Sequence, residues 1–180
     1  MAALLVRPST DDDIPTITRI YAHHVLHGLA SFEEVPPDTT ELAGRRRGVL
    51  RHGLPHLVAE QASEVVGYCY AALYRARSAY RFTIEDSVYV APGHVGQGIG
   101  RVLLRRLIEL CEEGPWRQMI AVIGDSENHA SIGLHAAEGF RMIGTHPAVG
   151  FKFGRWVDSV LMQRELGEGA RMLPIARQAS

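Results

Sequence analysis

Apolar positions recur early in the chain as Ile14, Ile17, Tyr21 and Val25, the spacing of a helix with one buried face. Ser9 or Thr10 can cap its start, Asp11, Asp12 and Asp13 fill the first turn, Pro15 sits early and Gly28 ends it. A short strand, "LLVRPST", precedes this helix, and a loop, "LASFEEVPP", follows it. Asp38 to about His52 predicts a second helix. The texture then changes. "HLVAEQ" and "EVVGYCYAALY" are β-branched and aromatic runs joined at Ala62–Ser63, which predicts a hairpin. After the polar interruption "YRARSAYRF", the segment "TIEDSVYVAP" is another strand, stopped at Pro92.

A glycine-rich stretch follows, and then Ile99, Val102, Leu103, Leu107, Ile108 and Cys111 mark one face of a helix, with Arg101, Arg105, Arg106 and Glu109 largely off it. "RQMIAVIGD" predicts a strand, "NHASIGLHAAEG" a helix with Gly139 past its end, and "FRMIGTHPAVGFKFGRWVDSVLMQREL" two strands around a turn near Gly154. The order is β-α-α-β-β-β-α-β-α-β-β. The hairpins imply antiparallel pairs, and the central strand–loop–helix–strand unit implies a parallel crossover. The expected fold class is therefore α/β in the mixed-sheet (α+β) sense, with helices on both faces of the sheet. It forms one domain over residues 1–166. Residues 167–180 carry no period and are expected to be a disordered tail.

Composition narrows the function. At 180 residues and 46 % hydrophobic content, the chain can bury about 70 % of its unfolded surface and needs no metal or disulfide to hold together. Cys69 and Cys111 form no C-x-x-C and lie in apolar runs, as reduced core residues do. No apolar run is long enough for a membrane span. The start, "MAALLVRPST", has an apolar stretch of only about four residues, short for a signal peptide, so a soluble cytoplasmic protein is expected. A net charge of −1 argues against general nucleic-acid binding, and Arg45–Arg47 reads as a solvated helix face. His23 and His27 stand one helical turn apart, a spacing zinc can use. No H-E-x-x-H or nearby carboxylate supports it, and no metal is expected.

The strongest chemical signal is the loop "GHVGQGIG" after "SVYVAP". Glycines leave backbone N–H groups uncovered, and a helix N-terminus attracts negative charge. A Walker loop would need Lys and Ser/Thr after Gly98, where Ile99 and Gly100 stand; the chain's only lysine is Lys152. A Rossmann fingerprint would need a third glycine, absent after Gly98-Ile99-Gly100. A turn with no ligand is one remaining reading. The other is a pyrophosphate held by successive N–H groups from Gly96 to Arg101.

Here the chain resembles the GNAT acetyltransferase superfamily. "HVGQGIG" is similar to its R/Q-x-x-G-x-G/A coenzyme A loop, with Val95 where Arg or Gln is usual. "NHASIGLHAAEGF" resembles its N-x-x-[AS]-x-x-x-[YH]-x-x-x-G-F segment, through Asn128, Ser131, His135, Gly139 and Phe140. "YRARSAYRFTIEDSVYVAP", "AVIGDSENHASIGLHAAEGF" and "VGFKFGRWVDSVLMQREL" resemble the phosphinothricin and methionine sulfoximine N-acetyltransferase subfamily, over roughly residues 5–166. The resemblance implies a central, mostly antiparallel mixed sheet. It also implies transfer of acetyl from acetyl-CoA to the amine of a small amino acid analogue. The alternatives are another acceptor amine, such as a protein N-terminus, a polyamine or an aminoglycoside, or a non-catalytic acyl-CoA sensor.

The roles follow on the same footing. Glu85, in the position of the subfamily's T-[IV]-E-x-S-V-Y-V glutamate, is the expected general base. Asp86 beside it points to the other face of a strand and is grouped with the acceptor residues. His135, where the wider superfamily often has a tyrosine, is the second catalytic candidate, as acid or base. Val88, Tyr89 and Val90, the loop Gly96, Gln97, Gly98, Ile99, Gly100 and Arg101, and Asn128 are expected to hold the cofactor; Asn128 reads equally well as a helix N-cap. Arg75 and Arg77, flanking Ala76, suit acidic groups of the acceptor, with Phe32 and Glu33 as pocket walls. Trp156, Val157, Val160, Leu161 and Met162 suggest an apolar surface for a homodimer, as in the resembled subfamily.

Overall fold

The computed structural model describes residues 3–174. The elements run β1 (Leu4–Pro8), a 3₁₀ turn (Asp11–Asp13), α1 (Ile14–His27), α2 (Thr39–Arg51), β2 (His56–Gln61), β3 (Glu64–Leu73), a 3₁₀ turn (Ser78–Tyr80), β4 (Thr83–Val90), α3 (Ile99–Glu112), β5 (Gln118–Gly124), α4 (His129–Ala137), β6 (Arg141–Lys152) and β7 (Arg155–Glu165), ending in a 3₁₀ turn (Gly169–Arg171). This is the element order read from the sequence. Thr10 is the residue that caps the first helical segment: its N–H and Oγ1 both donate to Asp13 Oδ2, at 2.7 and 3.1 Å. The β2–β3 hairpin turns through Ala62 and Ser63, both in the left-handed region at φ 51° and 66°, as a two-residue hairpin turn requires.

All seven strands form one sheet in the order β1-β2-β3-β4-β5-β7-β6. Every pairing is antiparallel except β4 with β5, which α3 joins as a crossover. That parallel pairing is short. It runs from Thr83 opposite Gln118 to Asp86 opposite Ala121 and then ends. Beyond it β4 stays paired with β3 as far as Val90 opposite Gly67, while β5 stays paired with β7 as far as Gly124 opposite Ser159. The two halves of the sheet therefore part between residues 87–90 and 122–124.

The core has a layer on each face. Leu103, Leu104, Leu107, Ile108 and Cys111 of α3 pack on Leu57, Ala59, Cys69, Ile84, Met119, Ala121 and Val160 of the sheet. Ile14, Ile17, Tyr21 and Val25 of α1 pack with Leu42 of α2 on Val58 and Tyr68 of the opposite face.

Three expectations change. Val102 is exposed and Leu104 takes its place in the core, because Val102 lies on the side of the helix away from residues 99, 103 and 107. Val157, Val160 and Met162 are buried, leaving Trp156 of that group exposed. The reason is that β7 inserts between β5 and β6 and is an interior strand; β6 is the edge. The tail expected to be disordered begins with a turn: Gly169 N–H donates to the Leu166 carbonyl, and Arg171 N–H to that of Glu168. Its last residues, 175–180, lie outside the described region.

Candidate active site

The parting of β4 from β5 creates the site. A cleft of about 710 Å³ runs along it, lined by Val88, Tyr89 and Val90 of β4, Gly96, Gly98, Ile99, Gly100 and Arg101 of the glycine loop and α3, Asn128, Ser131 and Leu134 at α4, and His24, Gly28, Leu29 and Ala30 of α1 and its following loop. With β5 gone from its flank, one edge of β4 has backbone groups facing the cleft without a strand partner. His24 takes one of them, donating from Nε2 to the Val90 carbonyl at 2.9 Å.

At the far end, Gly93, Gly96 and Gly98 all have φ between 81° and 83°, conformations that a Cβ would strain. Nothing lies within 4 Å of where those Cβ atoms would be. No hydrogen bond to another described residue engages the N–H groups of residues 95–98. Gly100 lies on the inner side of α3, against Leu134, Val90 and Val88. The loop is thus an open cradle of N–H donors at the start of α3, suited to an anion. Gln97 does not join it: its side chain folds back to the Gly93 carbonyl at 3.0 Å. Asn128 caps α4, accepting from Ser131 N–H at 3.1 Å. Asn128 also lines the cleft, so capping and ligand contact are compatible.

Glu85 and Asp86 are neighbours on β4 with opposite surroundings. Glu85 shares a face with Tyr70 and Ala72 of β3, the side covered by α1 and α2. Burial pushes its carboxyl up to about 7, the nearby charge of Asp86 adds to this, and Arg75 works against it. Such a group can take a proton near neutral pH. Asp86 points to the α3–α4 side, where its Oδ2 lies 3.0 Å from His135 Nε2. The two side chains are only 1 % and 6 % exposed. Asp86 therefore does not belong with the acceptor residues. His135 Nδ1 donates to the Ser131 carbonyl at 2.7 Å. Burial opposes a charged imidazole here, but the Asp86 hydrogen bond and charge, with the Ser131 carbonyl, outweigh it and raise the His135 pKa. With both ring nitrogens engaged, His135 offers no lone pair to an acceptor amine.

The other acceptor candidates scatter. Arg75 stacks on Tyr74, 4.9 Å from the ring centre, and its charge reaches Glu85. Ala76 and Arg77 are exposed. The Phe32 ring packs where Cβ atoms of Gly124 and Gly150 would stand. Glu33 accepts from Tyr21 Oη at 3.0 Å and Arg45 Nη1 at 2.6 Å. Two residues that the sequence reading passed over shape this region. Tyr70 shares Glu85's face, and the only sign of it was the Tyr68–Tyr70 alternation. Lys152 is 2 % exposed, and its Nζ donates to the carbonyls of Gly28 and Ser31 at 2.9 and 2.7 Å, tying down the loop that walls the cleft. Its signal was compositional: a single lysine in the chain. Among the described residues no group of three or more His, Cys, Asp or Glu could hold a metal ion, and no helix is long and apolar enough to cross a membrane.

The family model described as "Acetyltransferase (GNAT) family" matches residues 19–140. The chain belongs to the GNAT acetyltransferase family. This acetyltransferase is 62 % identical over 172 residues to the phosphinothricin N-acetyltransferase of Alcaligenes faecalis, covering 96 % of this chain and 87 % of that one. It is 40 % identical over 167 residues to the L-methionine sulfoximine/L-methionine sulfone acetyltransferase of Salmonella typhimurium, covering 93 % and 97 %. The crystal structure of a GNAT superfamily phosphinothricin acetyltransferase from Sinorhizobium meliloti, in complex with AcCoA, superposes with a TM-score of 0.92 at 44 % identity, covering 95 % and 92 %.

The raised Glu85 pKa has a cost in stability. A carboxyl that binds its proton more tightly when folded favours the folded state below its unfolded pKa of 4.5 and loses that contribution as pH rises to about 7. Replacing Glu85 by Gln in this acetyltransferase should therefore raise stability at pH 8 by up to about 3 kcal/mol, at about 1.36 kcal/mol per pKa unit, and change little at pH 4. Urea unfolding of both forms at the two pH values measures the difference.

Proposed function

We propose that this protein transfers the acetyl group of acetyl-CoA to the amino group of a small amino acid analogue of the phosphinothricin and methionine sulfoximine kind, by direct attack with both substrates bound. The observation that carries this reading is the cleft where β4 parts from β5, with the open N–H cradle of the glycine loop along it and the Glu85 carboxyl on β4 just before the parting. Burial pushes that carboxyl up to about 7. It can take the proton that an acceptor ammonium must lose before its nitrogen attacks the thioester carbonyl. The carbon–sulfur bond then breaks, and the leaving thiolate takes up the second proton, which the nitrogen sheds as the amide forms.

The residues present fit acetyl-CoA. The free N–H groups of the glycine loop meet the need of a pyrophosphate, and the positive-φ glycines leave its approach clear. Gly96, Gly98, Ile99 and Gly100 would hold that end through backbone N–H groups; Arg101 lines the cleft, but its own N–H donates to the Gly98 carbonyl at 3.1 Å. The unpaired edge of Val88, Tyr89 and Val90 would take the pantetheine and acetyl parts, with Asn128 across the cleft. Gln97 contributes its backbone alone. Arg75 and Arg77 are the guanidinium groups for the acceptor's acidic ends, and Phe32 walls the pocket. The cytoplasm, with its acetyl-CoA and reduced thiols, suits this chemistry.

The protein's partner is a second copy. Met142, Ile143, Val149, Phe151 and Phe153, on the edge strand β6 and its turn, are all more than half exposed, with Trp156 beside them. This replaces the β7 surface expected from the sequence. The resulting homodimer should give twice the chain's 19.8 kDa by light scattering at micromolar concentration; a monomer mass would remove it.

A thiol-release assay with acetyl-CoA tests the activity across phosphinothricin, methionine sulfoximine, methionine sulfone, a peptide and spermidine. The amino acid analogues should be turned over far faster than the last two. In the same assay Glu85→Gln should lower kcat by about 10²–10⁴-fold and abolish the acidic limb of the pH–rate profile. Gly98→Val should raise the KM for acetyl-CoA while leaving that for the amino acid nearly unchanged, since its Cβ would strain the loop whose amides meet the pyrophosphate.

A further inference from the structure

We propose that Asp86 is a positioning residue for acetyl transfer: its ion pair with His135 keeps that imidazole doubly protonated, ties α4 to β4 next to Glu85, and sets a fixed negative charge behind the base. The proposal rests on the reading of Glu85 as that base.

The geometry carries it. A carbonyl oxygen can only accept, so the 2.7 Å contact with the Ser131 carbonyl puts a proton on His135 Nδ1. The 3.0 Å contact from Nε2 to Asp86 Oδ2 then decides the charge of the ring. Both side chains are almost fully buried, and among the described residues no Arg or Lys side chain bonds to Asp86. His135 is thus the cation that compensates a carboxylate withdrawn from water. The Phe140 ring stands edge-on to the imidazole at 5.0 Å and shuts out solvent. Asp86 Oδ1 is buried without a protein partner. Asp86 and His135 also line a small cavity of about 50 Å³ where the strands part, with Ser87, Asn128 and Ser131, which is room for a water.

The groups around the pair and the base are few. Cys69 of β3 and Cys111 of α3 feel Asp86 as a like charge; burial, with that charge, holds both thiols protonated. Glu85 is faced by Asp86 through the strand, by Arg75 from the loop after β3, and by the Tyr70 phenol of β3. Arg75 works in the opposite sense to Asp86 and is exposed, so solvent screens it more than the buried carboxylate. Burial is the main reason Glu85 keeps its proton to higher pH, and Asp86, whose charge the His135 cation offsets in part, is the fixed charge that adds to it. Through His135 and Ser131 it also fixes the first turn of α4, where Asn128 caps the helix at the cleft.

Nitrogen-15 NMR of the full chain, with His135 assigned by its loss in His135→Gln, reads the first half directly. Both ring nitrogens should carry protons at pH 7.5; a single neutral tautomer there overturns the ion pair, and this measurement needs no active-site variant to fold. The pH profile of kcat/KM reads the second half. In Asp86→Asn the acidic limb should move down by roughly one pH unit. A lower rate with the limb in place would mean a structural role only and overturn the proposal. Glu85→Gln is run alongside: if it keeps the acidic limb, the base has been misassigned, and the NMR result still judges the pair on its own.

Discussion

The parting of β4 from β5 is the constraint on which the rest of the molecule depends. Four residue pairs join the two strands, and then each keeps its other neighbour and diverges. A parallel pair in mid-sheet that stops early leaves backbone hydrogen-bonding groups facing a gap. Buried backbone groups without partners are costly, so such a gap suits a ligand able to bond like a strand. The α3 crossover that makes the pair parallel begins at the glycine loop, so one connection supplies both the open strand edge and the anion cradle. The same parting brings residues from the two halves of the sheet, and α4 behind them, around one space.

The alternation of a strand does the rest of the sorting. Adjacent side chains on β4 face opposite layers, so Glu85 meets the half-open side under α1 and α2, and Asp86 the sealed side under α3 and α4. Two carboxyls one residue apart thereby acquire different partners: a distant exposed arginine for one, a buried imidazole for the other. The side of the sheet that carries Glu85 is paved with Tyr21, Tyr68, Tyr70 and Tyr89, whose rings contact one another across α1, β3 and β4 at centroid distances of 5.0–6.3 Å. Rigid aromatic walls of this kind shape a pocket at little entropic cost.

Much of this was legible in the chain. Periodicity and turn residues placed every helix and strand in order, and the resemblance of the Asn128, Ser131 and His135 segment to a family motif singled out the helix that lines the cleft. What stayed hidden depends on contacts between distant segments. No local pattern says that β7 would slip between β5 and β6, so Val157, Val160 and Met162 read as surface although they are core. Nothing in "TIEDSV" announces that Asp86 would find His135, forty-nine positions later. The reach of Lys152 across to the loop after α1 is of the same kind. The open glycine loop, with its uncovered N–H groups, could be read because its parts are neighbours in sequence.

Lys152 has a consequence beyond holding a loop. Acetyl thioesters modify accessible amines without any help, and a protein built to bind one holds the reagent at high local concentration. This chain has no other lysine, and this one is buried with its Nζ donating to two carbonyls. Its surface cations are arginines, whose guanidinium groups stay protonated and do not attack carbonyl carbon. The molecule thereby keeps lysine nucleophiles off its own surface, which spares it from self-acylation by its own substrate.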